Sequence, residues 1–329
     1  MFYFCTYFDQ NYLPRGMALY CSLQEHCPSF KLWVLCMDEV THRTLAQLNL
    51  PGVEIIAQAA FEHGDAALLT AKQNRSTVEY YFTCTPSLPL FILQQDVSID
   101  LITYLDADLY FFADPAPLFE ELGTGSIAIT AHRFSPELIH LERYGRYNVG
   151  WLTFRRDSRG MECLHWWRAR CIEWCYDRIE GERFADQKYL NVWPERFEGT
   201  VVLSHIGANL APWNLANYRI THRRSGIFVN AQPLIFFHFH GFRQINRWLY
   251  DHNLDEYKMR PPRPLLQMLY VPYIRELLSL QKLGGNLERN RTKRFWMPEL
   301  LRRIGRIVHA TKRLIQLKTM VFYHDHLII

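Results

Sequence analysis

Two aspartates one residue apart, Asp106 and Asp108, stand inside the apolar stretch Ile102-Thr103-Tyr104-Leu105-Asp106-Ala107-Asp108-Leu109-Tyr110-Phe111-Phe112. Apolar and β-branched residues over this length predict a buried strand. Along a strand, residues i and i+2 project from the same face, so the two carboxylates point the same way. Like charges packed that closely in an apolar sheet repel each other and are costly to bury unpaired. A hard divalent cation removes both costs, because Mg²⁺ and Mn²⁺ favour carboxylate oxygens and bridge to phosphates. The alternative is a strand end whose aspartates reach solvent or cap a following turn, and Asp-x-Asp alone does not choose between the two.

Such a pair needs a scaffold, and the first hundred residues describe one. Residues 2–7 read as a short apolar strand, followed by a polar, breaker-rich loop from Asp9 to Gly16. Residues 17–27 have helical spacing, 31–37 form a strand, and Thr41 begins a short helix ended by Pro51-Gly52. Residues 53–57 are a third strand, and a long helical region over 65–95 leads into the strand with the aspartates. Strand and helix in alternation predict a mostly parallel sheet covered on both faces. Ligands of such sheets bind outside the carboxyl ends of the strands, which sets Thr6 to Asp9 and Asp106 to Asp108 along one crevice.

Beyond Asp108 the alternation loosens. Residues 115–122 read as a helix, 126–130 and 148–154 as strands, and 160–179 as an aromatic-rich helix. Asp186-Gln187 opens another short helix, for which Asp186 has the ordinary alternative of an N-cap. Residues 200–204 and 227–239 read as strands, the last running into His238-Phe239-His240-Gly241. A period of two puts both histidines on one face there. Cys163, His165, Cys171 and Cys175 share one helical stretch but lack the close ligand pairs of structural zinc sites, so they read as core.

Hydrophobic residues make up 49% of the 329 and aromatics 15%, ample for a packed core and too apolar for a disordered chain. The net charge of +4 is uneven: ten Lys/Arg and two Glu between 288 and 318 carry +8, leaving −4 for the remainder. The eight cysteines do not imply a disulfide framework in a chain this long. Residues 1–6 lack a basic region and a cleavage site, and no run of about eighteen apolar residues occurs. These features lead to the expectation of a reduced, cytoplasmic protein.

The order Asp106-Ala107-Asp108, Asn148-Val149-Gly150, Asp186-Gln187 with Leu190-Asn191, then His238-Phe239-His240-Gly241 resembles glycosyltransferase family 8. The opening Thr6-Tyr7-Phe8-Asp9 with Tyr12 and Gly16 is similar to that family's first strand and nucleotide-binding loop. The resemblance covers about residues 1 to 250. It implies a GT-A (Rossmann-like) catalytic domain over 1–250, with residues 251–329 left as a helical C-terminal extension. It implies a Mn²⁺ or Mg²⁺ ion held by Asp106, Asp108 and His238 on the diphosphate of a nucleoside diphosphate sugar. It also implies that Thr6 and Asp9 hold the nucleoside and that Arg75 and Asn148 approach the donor. Asp186 and Gln187 would line the reacting face, with transfer to a hydroxyl of a glycan or lipid-linked acceptor, in surface-glycan synthesis, and retention at the anomeric carbon.

The family often continues its His-x-x-Gly motif with two residues and then Lys-Pro-Trp, whereas Gly241 is followed here by Phe242-Arg243-Gln244. Arg243 is the candidate replacement cation, one position early. Trp193 and Trp213 sit in breaker-rich loops near the crevice, where an exposed aromatic could stack on a sugar ring. Two other functions stay open: a nucleotide-sugar-binding protein without turnover, and a phosphatase of the haloacid dehalogenase type. The latter normally carries its Asp-x-Asp on the first strand, and three strands precede it here. No reader motif for nucleic acid accompanies the basic tail. From Pro298 the tail places Leu300, Leu301, Ile304, Ile307, Val308, Leu314 and Ile315 mainly on one stripe with Arg302, Arg303, Arg306, Lys312 and Arg313 beside or opposite it. This is the pattern of a basic helix at an anionic membrane surface, with a helix packed on the catalytic domain as the alternative.

Overall fold

The computed structural model describes residues 1–246, 248–284, 319–323 and 326–327. Its strands begin with β1 (Phe2–Phe8), β2 (Phe30–Cys36), β3 (Val53–Ala57), β4 (Leu101–Leu105), β5 (Leu109–Phe111), β6 (Ile127–Ala131), β7 (Tyr147–Arg155) and β8 (Thr200–Leu203). All but β5 form one sheet in the order β3-β2-β1-β4-β7-β6-β8. The pairings are parallel except on both sides of β7, which runs against β4 and β6. This is the α/β class with a mostly parallel sheet that the alternation predicts. Helices cover both faces, so the central strands are apolar on both, with Phe4, Cys5, Ile102, Tyr104 and Leu105 all buried.

Local chemistry moved several boundaries. The first helix, Leu13–His26, starts four residues before the expected Met17 because Pro14 suits a first turn, where a missing N–H costs nothing. Gly16 lies inside that helix, and a Cβ there would sit 2.2 Å from the Phe8 ring. Arg15 and Gly16 are therefore helical and not loop. The helical region over 65–95 divides: Asp65 caps Ala66–Gln73, and Ser76 and Glu79 form a reciprocal capping box on Thr77–Gln95. The strand expected over 227–239 breaks into Gly226–Val229, Gln232–Pro233 and Phe236–His238. Asn230 turns the chain there with φ of 53°, and Pro233 has no N–H to donate to a ladder.

After residue 250 the helix Arg263–Gly284 packs on Leu13–His26. Its Tyr270, Tyr273 and Ile274 join the core around Tyr110, Phe237 and Phe239. Strand Thr319–Tyr323 pairs antiparallel with Leu249–Asp251. The basic stretch 288–318, with its expected amphipathic helix, lies outside the described residues. No helix among the described residues is long and apolar enough to cross a membrane.

Candidate active site

The aspartate pair sits between two strands and not within one. Pairing of β4 ends at Leu105, and residues 106–108 turn before β5, with the Leu109 N–H donating to the Asp106 carbonyl at 3.2 Å. The strand predicted through 102–112 is interrupted where its two charges fall, since a turn at the sheet's edge leaves them less desolvated than a central strand would. Strand Phe236–His238 then runs antiparallel to β5 and sets His238 opposite Leu109. His238 Nε2 lies 3.0 Å from Asp108 Oδ1 and 3.7 Å from Asp106 Oδ2. One ligand atom from each of the three falls within 4.8 Å of the others.

Two of the three members are oriented by neighbours outside the triad. The Tyr104 hydroxyl donates to Asp106 Oδ1 at 2.9 Å. His238 Nδ1 lies 3.3 Å from Asn148 Oδ1, an oxygen that also accepts the Gly150 N–H at 3.0 Å. An amide oxygen only accepts, so Nδ1 carries a hydrogen and Nε2 is turned toward the carboxylates. Trp213 packs edge-on against the same imidazole, 5.2 Å between ring centres.

Burial alone would lower the basicity of His238, but Asp108 and then Asp106 outweigh it and raise its pKa above the ordinary value. Burial pushes Asp108 the other way from its neighbours, and the His238 and Arg15 charges hold its carboxyl well below the usual range. Asp106 is raised, by burial first and by the Asp108 charge. The donor set fits a hard divalent cation: two carboxylates and an imidazole nitrogen with its other nitrogen anchored.

Asn148 reaches this triad because β7 is antiparallel. Its first residues lie beside the last of β4, and the Asp106 N–H donates to the Gly150 carbonyl at 3.1 Å. A Cβ on Gly150 would stand 2.7 Å from Asn148 Oδ1 and 3.0 Å from His238 Nδ1. Asn148 Nδ2 continues the chain of contacts to Gln187 Oε1 at 3.4 Å and to His132 Nε2 at 3.3 Å. Gln187 Nε2 in turn donates to the Tyr144 carbonyl at 3.3 Å.

Asp186 is buried, 4% exposed, after Ala185 with φ of 45°. The Trp167 indole N–H donates to its carbonyl at 2.8 Å. The following 3₁₀ turn, Lys188–Val192, has Gln187 at its N-cap and no side-chain cap bond, so Asp186 is not a cap. Burial pushes its carboxyl up to about 7; the Thr85 hydroxyl opposes this and the Asp106 charge adds to it.

The remaining expected residues are spread more widely. Asp9 closes the loop after β1, accepting from the Asn11 N–H at 2.9 Å and the Tyr81 hydroxyl at 3.4 Å. Thr6 is wholly buried in β1. The Arg75 guanidinium donates to the Tyr176 hydroxyl at 2.7 Å and the Ile172 carbonyl at 3.1 Å, which ties it to the end of the helix Ser158–Glu173. Arg243 is exposed on the two-residue strand Arg243–Gln244.

Trp213 is 3% exposed and Trp193 fully buried, so neither is an open platform. The Trp213 loop is drawn inward: the His238 N–H donates to the Leu210 carbonyl, and Asn214 Nδ2 to the His132 carbonyl, both at 2.8 Å. Cys163, Cys171 and Cys175 are buried core. A second acidic group, Asp251, His252 and Asp255, is less suited to a metal. His252 Nδ1 accepts the Leu254 N–H at 3.0 Å, which leaves its proton on Nε2. Sequence reasoning missed Tyr104, His132 and Arg15. Tyr104, two residues before Asp106, was the one with a signal in its spacing.

No family model matches the chain. The uncharacterized protein YfnD of Bacillus subtilis (strain 168) is 34% identical over 279 residues, covering 84% of this chain and 88% of YfnD. YfnF of the same organism is 34% identical over 253 residues, covering 74% and 82%. Among solved structures, the galactosyltransferase LgtC in complex with donor and acceptor sugar analogs aligns with a TM-score of 0.51 at 16% identity, over 81% of this chain and 100% of LgtC. Mouse xyloside xylosyltransferase 1 aligns at 0.47 and 14% identity, over 73% and 98%. The sheet order and the LgtC alignment make the fold that of the GT-A glycosyltransferases, and the chain belongs to the family of YfnD and YfnF.

Proposed function

We propose that the protein is a metal-dependent glycosyltransferase of the family 8 type, moving a sugar from a nucleoside diphosphate donor to a hydroxyl acceptor. The observation that carries this reading is the convergence of Asp106, Asp108 and His238 within 4.8 Å at the carboxyl end of β4. A Mn²⁺ or Mg²⁺ ion there would bind the donor's phosphates and offset the charge developing on the leaving nucleoside diphosphate. Asn148 keeps His238 turned toward that position and, through Gln187, links it to the sugar side. Asp186 and Gln187 face the transferring sugar, and Asp9 with its loop receives the nucleoside. The complex of LgtC with donor and acceptor analogs supports a nucleotide-sugar donor and a glycan acceptor.

The test is a donor panel: purified protein, Mn²⁺ and each nucleoside diphosphate sugar in turn, with release of nucleoside diphosphate as the readout. Release from one donor, abolished by chelation, is expected. Metal-dependent donor binding without release, with simple and lipid-linked acceptors supplied, would favour a binding protein without turnover. Retention at the anomeric carbon is the expectation from family 8 and is read from the product by NMR.

A further inference from the structure

The family 8 pattern ends in a cation that this chain lacks at the matching position, and Arg243, one residue early, is exposed on a strand opposite Asp251. A different cation is tied to the turn that follows His238. Arg15 is in the first turn of the helix Leu13–His26, and its Nη2 donates to the Phe242 carbonyl at 2.6 Å. Phe242 closes the turn after His238: its N–H donates to the Phe239 carbonyl at 3.1 Å, while the Phe239 N–H donates to the Asp108 carbonyl at 2.9 Å. One short backbone path thus joins the Arg15 guanidinium to a proposed ligand and to the turn that delivers another. The guanidinium also lies 4.2 Å from the centre of the Tyr12 ring, stacked so that its direction is set.

Other buried or part-buried cations are committed elsewhere. Arg75 donates to Tyr176 and Ile172, Arg133 to the carbonyls of His205 and Ala208, and Lys188 to the Gly181 carbonyl. Arg15 makes no ion pair among the described residues, and its contacts are the Phe242 carbonyl in the turn after His238 and the Tyr12 ring. An arginine held in this way, on a carbonyl and against the Tyr12 side chain, has further N–H groups in its fork and is suited to a charged oxygen.

We infer that Arg15, and not Arg243, is the donor-binding residue that meets the outer phosphate of the nucleoside diphosphate and stabilises it as it leaves. The assignment rests on the metal-site reading above. Arg15 and Tyr12 fall in a helix start that reads as loop in the sequence, which is why the residue was not a candidate there.

The experiment is calorimetric titration of the full chain, in Mn²⁺, with UDP, GDP, ADP and CDP and with the corresponding monophosphates. Wild-type protein should bind one diphosphate more tightly than its monophosphate. Arg15→Gln should weaken that diphosphate about 10- to 100-fold and leave the monophosphate unchanged, Arg15→Lys should fall between, and Arg243→Gln should match wild type. Should Arg15→Gln fail to fold, the ratio of diphosphate to monophosphate affinity in Arg15→Lys decides, a fall supporting the assignment and an unchanged ratio overturning it. Unchanged diphosphate affinity in Arg15→Gln, or an equal loss for both nucleotides, overturns the Arg15 assignment while leaving the metal-site reading intact. Absence of nucleotide binding by the wild-type protein overturns both.

Discussion

Replacing Asp186 with Asn separates a site residue from a structural one through its pH dependence. The carboxyl is buried, and burial with the Asp106 charge moves its pKa from the ordinary 3.8 to about 7. A folded-state pKa above the unfolded one means that stability from the protonated form is complete below about pH 4. It is lost as pH rises through about 7. The displacement corresponds to about 4 kcal/mol as an upper bound, and relaxation around the charge brings the observable effect to roughly 1–3 kcal/mol. Asn keeps the shape without the charge, so Asp186→Asn should be more stable than wild type at pH 8 and equal to it near pH 4.

Urea denaturation of both proteins across this range, in chelator, measures the difference directly. Chelation matters because a cation on Asp106 would remove one of the two charges involved. Turnover of the variant should fall steeply, since the carboxylate would no longer face the sugar; a gain in stability with a loss of activity is the behaviour of a strained site. A variant less stable than wild type by the same amount at every pH would refute the reasoning. It would mean that Asp186 makes an ordinary structural contact.

Asp108→Ala and His238→Ala should each abolish metal-dependent nucleotide binding with the fold intact by circular dichroism, whereas His240→Ala should do much less; wild-type rates for either of the first two in metal-limited buffer would contradict the ligand assignment. Asn148→Ala frees His238 Nδ1 and should weaken Mn²⁺ binding about 10- to 100-fold, measured by paramagnetic titration. Gly150→Ala introduces a Cβ 2.7 Å from Asn148 Oδ1, so it should reproduce that loss without touching a ligand, and unaltered Mn²⁺ affinity would exclude the positioning role.

Much of this architecture was legible in the chain. Residues 31–37 and 53–57 were bounded apolar runs, and they fall on β2 and β3. In β2 burial of Leu32 to Cys36 demands apolar side chains, whereas β3 at the sheet's edge leaves Glu54 exposed. Asp106 and Asp108 stood out because charges inside an apolar run need a reason. Boundaries were less visible where a cap or a proline outweighed periodicity. Ser76 with Glu79 split one helical region, and Pro14 began another helix early. Trp213 was misjudged because a loop composition says nothing about which way the loop folds, and hydrogen bonds from Asn214 and His238 draw it inside.

By itself the sequence determined an α/β chain with strand and helix in turn and two carboxylates within an apolar run. Those features depend on local period and local composition, which neighbouring residues carry. Only the tertiary structure decided what gathers around the carboxylates. The antiparallel course of β7 brings Gly150 beside Asp106 and Asn148 to His238, and the pairing of Phe236–His238 with β5 brings His238 to Asp108. The entry of Leu13–His26 brings Arg15 to the same turn. Strand direction and register are set by which distant apolar faces bury one another, and no spacing along a single chain records that.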